Sequence, residues 1–154
     1  MSRLAMIRDW KRRMDDYALR LAGAVPEELS EYRGAPTQFT CAELVAHLVE
    51  CELEMDNDLV RGGAGPVEIP KLILDRSVTN NRKALKLVFQ FTDTVIGSLT
   101  DGDLDTLIGF PGTDKTVPVE LVLRAMIEHQ VHHRGQLITY LRLNGVAVPA
   151  RWSD

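Results

Sequence analysis

Absences narrow the field before any motif is read. The sequence has two cysteines, Cys41 and Cys51, on what reads below as one helix, where they are separated along the axis and point in different directions. A disulfide between them is not expected, which suits a reducing compartment. No apolar stretch is long enough to cross a bilayer, and the opening MSRLAMIRDWKRR lacks the unbroken apolar segment of a secretory signal. A cytoplasmic protein with no membrane partner is expected. Charge of one sign is scarce: the formal net charge is -4, too mild for a general attraction to nucleic acid or anionic lipid. Arg8, Lys11, Arg12 and Arg13 do cluster, but Asp9, Asp15 and Asp16 interleave with them, the pattern of a solvated helix face. Internal repeats and low-complexity tracts are also missing.

What is present is the mix of an ordinary globular chain, 45% apolar and 26% charged over 154 residues, enough to bury a core without staples and short enough for one domain, residues 1–154. Leu4, Ile7, Trp10, Met14, Tyr17 and Leu21 recur at helical steps behind Ser2 as a cap. Gly23 and Pro26 close this first helix, and a linker rich in Gly, Pro and Thr follows, with room for one helical turn at PEELSEY. Thr40 and Glu43 form a capping box, opening a second helix with the stripe Leu44, Leu48, Cys51, Met55, Leu59 that ends at GGAGP. Residues 67–76 are compatible with a strand, a turn of helix or an extended link. A third helix spans Ser77 to Leu99 on Val78, Leu85, Val88, Phe89, Thr92, Ile96 and Leu99. After a turn-rich connection, Thr116 and Pro118 begin a fourth, which runs to Asn144 and stops on Gly145. Four amphipathic helices without a strand pattern predict an all-α, up-and-down four-helix bundle with long connections after helices 1, 2 and 3, its exact connectivity open.

The fourth helix carries "EHQVHHRGQL". His129 and His133 stand one turn apart, separated by only ~40° around the axis, on the face that also carries Val119, Val122, Met126, Gln136, Leu137 and Tyr140. His47 lies beside Leu44, Leu48 and Cys51 on the second helix. Three imidazoles thus face one interior, and a buried polar ring without a partner costs roughly 1–3 kcal/mol. A shared divalent ion is one explanation, because neutral imidazole nitrogens bind such ions at about 2.0–2.1 Å and three protein donors leave positions open for chemistry. Histidines satisfied by backbone or water are the other. Around the candidate ligands, Gln136 can hydrogen-bond a water or substrate, His132 sits at the stripe's edge, Glu54 and Asp58 can orient an imidazole, and Cys51 is a packing residue with the chemistry of a fourth ligand. Gly135, costly in mid-helix by ~1 kcal/mol, predicts the close approach of another backbone.

The stretch "EHQVHHRGQLITYLRLNG", ended by VAVP, resembles the signature of the DinB-like family of four-helix-bundle, metal-dependent proteins. "TCAELVAHLVECE" is similar to that family's second-helix histidine segment, and "KTVPVELVLRAMIEH" to the start of its last helix. The resemblance implies a divalent metal ion, nickel or zinc, held by His47, His129 and His133, and homodimers. It also implies a metal-dependent enzyme: a thiol S-transferase using a low-molecular-weight thiol such as bacillithiol, or a relative of the mycothiol-dependent maleylpyruvate isomerases. The family name reflects induction by damage and does not imply DNA binding. With dimers implied, the second apolar row of helix four, Leu123, Ile127, Ile138 and Leu141, is the expected seam between two copies, with packing inside one copy as the alternative.

The function expected is a three-histidine metal centre that uses a small thiol against a small-molecule electrophile, with no residue standing out as general base. A metal-dependent hydrolase, with water in the thiol's place, and a non-enzymatic metal- or small-ligand-binding stress protein are the alternatives. Nothing in residues 23–39, 62–76 or 100–116 spells a recognition motif for a particular substrate.

Overall fold

The computed structural model describes residues 1–62, 72–110 and 112–151. Its frame is four helices: α1 (Arg3–Ala24), α2 (Cys41–Arg61), α3 (Val78–Gly97) and α4 (Val119–Leu143). Local chemistry sets their ends. The Ser2, Thr40 and Ser77 hydroxyls accept from backbone N–H groups in the first turns of α1, α2 and α3, and at Thr40 the Glu43 carboxylate returns the favour. α4 stops at Asn144, and Gly145 follows at φ +68°, a conformation that only glycine adopts without strain.

α1 packs on α3 and α4, and α2 packs on the same two, so α1 and α2 occupy opposite corners. Asn81 Nδ2 donates to Ala42 O near the start of α2, and Thr92 meets Asp56 further along; α2 and α3 therefore run parallel. Tyr140 reaches Phe39 while His129 reaches His47, so α4 runs antiparallel to α2. The connectivity left open by the sequence is thus up, down, down, up, which long connections permit and short loops would forbid. Between α1 and α2, Glu27–Leu29 form a single 3-10 turn. Residues 72–76 have no regular structure, while the rest of the ambiguous 67–76 stretch, like part of GGAGP, falls outside the described residues.

Before α4 the chain forms a hairpin that the sequence did not announce: β1 (Leu107–Gly109) pairs antiparallel with β2 (Thr116–Pro118). Strands of three residues are too short to show an alternating pattern.

Two apolar clusters fill the bundle. One joins Leu21, Leu44, Leu48, Leu85, Leu137 and their neighbours; the other joins Ile7, Met14, Leu59, Ile96, Met126 and Ile127. Between them lies a buried polar belt of Lys11, Asp15, Glu52, Asp56, Thr92, Gln130 and Arg134. This corrects the solvated-face expectation for α1, since Lys11 is 2% exposed. Lys11 continues the Ile7–Met14–Ala18–Leu21 stripe, whereas Trp10 lies off it and is 39% exposed. The Lys11 ammonium holds Asp15 Oδ1 at 2.6 Å and also Glu52 Oε1. Burial opposes its charge, but the Glu52 and Asp15 carboxylates outweigh that and raise its pKa.

Two further expectations are corrected. Leu123, Ile127 and Leu141 are fully buried within the chain and Ile138, half-buried, packs against the same core, so this row is core and not a seam between copies; a helix packed on two neighbours needs two apolar rows. A Cβ on Gly135 would meet nothing within 4 Å among the described residues, so none of their backbone approaches it.

Candidate metal centre

The seam between α2 and α4 carries the imidazoles, at the level of the polar belt. The capping box fixes the start of α2 and so the direction of His47. The hairpin delivers the chain to α4 through the hydrogen bond from Val119 N to Thr106 O (2.9 Å), which sets the turn on which His129 and His133 sit. His129 Nε2 lies 3.2 Å from His47 Nε2, and His133 Nε2 lies 3.0 Å from His129 Nε2. The His47 and His133 ring centroids are 4.7 Å apart. The sequence expectation of inward-facing rings holds in direction but not in depth: His133 is buried while His47 and His129 are half-buried, open to solvent on one side.

Three imidazoles at these distances cannot all be protonated to imidazolium cations. Burial, then the neighbouring His133 and His47, holds the His129 pKa down to about 4. Burial likewise lowers His47, and lowers His133 against the opposing hydrogen bond to Gln136. The rings are neutral at pH 7, the state in which imidazole ligates a metal. His133 Nδ1 donates to Gln136 Oε1 at 2.7 Å, which leaves its Nε2 lone pair for the cluster.

The spacing also fits an ion. With metal–nitrogen bonds of about 2.1 Å, two donors stand about 3.0 Å apart at a right angle and about 3.4 Å apart at the tetrahedral angle. The observed 3.0 and 3.2 Å fall in that interval. Cys51 Sγ, one turn from His47, lies 3.6 Å from both its ring nitrogens. His47, Cys51 and His129 bring one donor atom each within 4.8 Å of one another, a His/Cys/His cluster able to hold a metal ion. Both cysteines are free thiols; burial and the carboxylates of Glu54, Glu50 and Glu52 raise the Cys51 pKa.

The other residues singled out from the sequence are dispersed. His132 is exposed, its ring edge-on to His133 at 4.8 Å. Glu54 and Asp58 make no hydrogen bond to His47 among the described residues and instead line a cleft against the hairpin with Asn57, Arg61 and Phe110. They share His47's side of α2 but stand about two and three turns further along its axis, roughly 10 and 16 Å away and beyond hydrogen-bond reach of its ring.

Sequence reasoning missed Phe39, whose ring lies 4.9 Å from that of His47 and 6.4 Å from that of His133. Its place just before the capping Thr40 was the available signal. It also missed the ion pairing on the opposite seam, where Arg8 and Arg12 of α1 grip Asp93 of α3 and hold that carboxyl well below its usual range.

No helix among the described residues is long and apolar enough to cross a membrane. The fold has solved counterparts. A DinB-like protein from Bacillus subtilis, YjoA, superposes with a TM-score of 0.75 at 21% identity, covering 97% of this chain and 99% of that one. A DinB-like protein from Bacillus cereus ATCC 10987 superposes at 0.73 and 23% identity over 90% of this chain and 91% of that one. In sequence, the Bacillus subtilis (strain 168) protein described as "Uncharacterized protein YjoA" is 25% identical over 126 residues, 81% of this chain and 80% of its own length. The model of the DinB family matches residues 1–151, and the chain belongs to that family.

Proposed function

We propose that the protein is a divalent-metal-dependent thiol S-transferase acting on small electrophiles, with His47, His129 and His133 as ligands of nickel or zinc. The observation that carries this reading is that His129 Nε2 from α4 lies 3.2 Å from His47 Nε2 of α2 and 3.0 Å from His133 Nε2, on rings held neutral by burial. A metal ion there supplies positive charge that favours the thiolate of a bound thiol over its neutral form. The chain's own residues do the rest. Gln136 fixes the His133 tautomer, the two helices set the donor geometry, and the half-buried side of the cluster leaves room for a substrate. In the transfer the thiol sulfur forms a bond to the electrophilic carbon, the leaving group departs with its electron pair, and the thiol proton passes to water, since the site offers no convincing base.

The experiment loads untagged protein with nickel or zinc and supplies a panel of small thiols with a chromogenic aryl halide. Thiol conjugation that is lost in His133→Ala supports the reading; conjugation unchanged in that variant overturns it. A second reading, a metal-binding protein without catalysis, draws on Cys51. With Sγ 3.6 Å from His47, it is placed to close a four-donor set, and a closed set is the mark of a structural site. Cys51→Ser separates the two, since a transferase keeps its activity when an extra donor is removed.

A further inference from the structure

Apolar rings rarely stand exposed beside a polar cluster without consequence, and one does here. Phe39 is 42% exposed, yet it is not loose. On one side the Tyr140 hydroxyl donates to Phe39 O at 3.0 Å, having Gln38 Oε1 within 3.2 Å as well. On the other, Thr40 N donates to Glu43 Oε2 at 2.7 Å, and Cys41 N donates to Tyr32 O at 2.9 Å. The backbone is clamped before and after the ring, so a molecule that settles on it pays little to order it.

The ring tilts 31° to His47 and 58° to His133, its centroid 4.9 Å from the first and 6.4 Å from the second. It opens onto a cleft of ≈ 380 Å³, shared with Pro36, Ala46, His47 and Glu50. That cleft is a poor anchor for an anion. Arg33, its cation, is already engaged by Glu43 and by the Pro36 carbonyl, and Glu50 adds negative charge. Among the described residues, Phe39 is the aromatic side chain in ring contact with the imidazole cluster.

We propose that Phe39 is the specificity-determining wall of the histidine centre and that it selects a substrate carrying a flat aromatic group. This rests on the metal-centre reading above. A ligand bound where the three imidazoles converge projects along the Phe39 face, and offset or edge-on stacking rewards an aromatic substituent over a saturated one of similar size.

The test uses cobalt(II) as a coloured stand-in for the native metal, with benzyl mercaptan and cyclohexylmethanethiol as probes, followed by the change in cobalt absorption. The ratio of their affinities is compared between wild type, Phe39→Leu and Phe39→Ala, which cancels the thiols' own acidities. The expected result is an aromatic preference that shrinks about three- to tenfold in both variants, with cobalt affinity and melting temperature unchanged. Phe39→Leu carries the test if the alanine variant does not fold. An unchanged ratio overturns the proposal, and so does loss of cobalt from a folded Phe39 variant, which would make the ring a support for the ligands. Wild type that takes up neither cobalt nor thiol overturns the metal-centre reading and this proposal with it.

Discussion

Gln136 Oε1 accepts a 2.7 Å hydrogen bond from His133 Nδ1, one turn along the same helix. This bond selects the tautomer with a lone pair on Nε2 and stops the ring from rotating about χ2. Replacing Gln136 with Leu removes the acceptor while keeping the bulk. Metal affinity is expected to fall about 10- to 100-fold, measured by competition with a chelating dye. Gln136→Glu keeps an acceptor in place and should retain most of the affinity.

An ion that binds only the folded protein must stabilise it. With nickel or zinc at about a hundred times its dissociation constant, unfolding should become harder by about 2.7 kcal/mol, seen as a raised melting temperature. His47→Ala removes the sole imidazole from α2 and is expected to abolish that rise. Metal-free melting should move little, because the ring is half-buried and its loss strands no charge.

How much of this was legible depends on what each residue's signal was. Thr40 with Glu43, Ser2, and Gly145 announce helix ends because capping is local chemistry, and the ends fall where they should. His129 and His133 announce a shared face because helical geometry fixes it. His47 joins them through the apolar stripe around it, a weaker inference that depends on α2 and α4 being neighbours. Lys11 was misread because charge suggested solvent, although its place between Ile7 and Met14 put it inside. Phe39 and the 107–118 hairpin were not legible: a loop ring's direction, and a ladder only three residues long, are set by tertiary contacts. The Leu123–Ile127–Ile138–Leu141 row showed only that an apolar face needs a cover, and the neighbouring helices of the bundle were as able to supply it as a second copy.

Lys11 offers a test of the buried belt. Lys11→Met leaves Asp15 and Glu52 without their cation, and breaking a buried pair from one side typically costs about 3–5 kcal/mol. Combining it with Asp15→Asn and Glu52→Gln removes the stranded charges, and most of the loss should return. Urea denaturation of the single and triple variants measures both. A single variant as stable as wild type would mean that water reaches the belt.

Asp56 carries the last expectation, one of pH. Its side chain is fully buried, and Oδ1 has no partner among the described residues. Thr92 Oγ1 lies 2.7 Å from Asp56 Oδ2, 3.0 Å from Glu52 Oε1 and 3.0 Å from Val88 O. One hydroxyl proton cannot serve three acceptors. The count closes when Asp56 is the neutral acid, its O–H donating to Thr92 and the Thr92 hydroxyl donating onward. Burial first, then the Glu52 charge, raises its pKa well above the usual 3.8. Facing it are Lys11 and Asp15 from α1, Glu52 from α2 and Thr92 from α3, with Gln130 and Arg134 completing the belt from α4. A carboxyl whose folded pKa is raised stabilises the fold fully below its unfolded value and loses that contribution as pH climbs through the folded one. From about pH 4 upward, stability should therefore fall by up to about 1.4 kcal/mol per pH unit on account of this group, until the folded pKa is passed. Asp56→Asn copies the neutral acid's shape without its proton. Melting temperatures measured across pH 4 to 8 should show the variant near wild type at the acid end and gaining on it steadily toward pH 8. Parallel curves would mean that Asp56 is ionised within the fold.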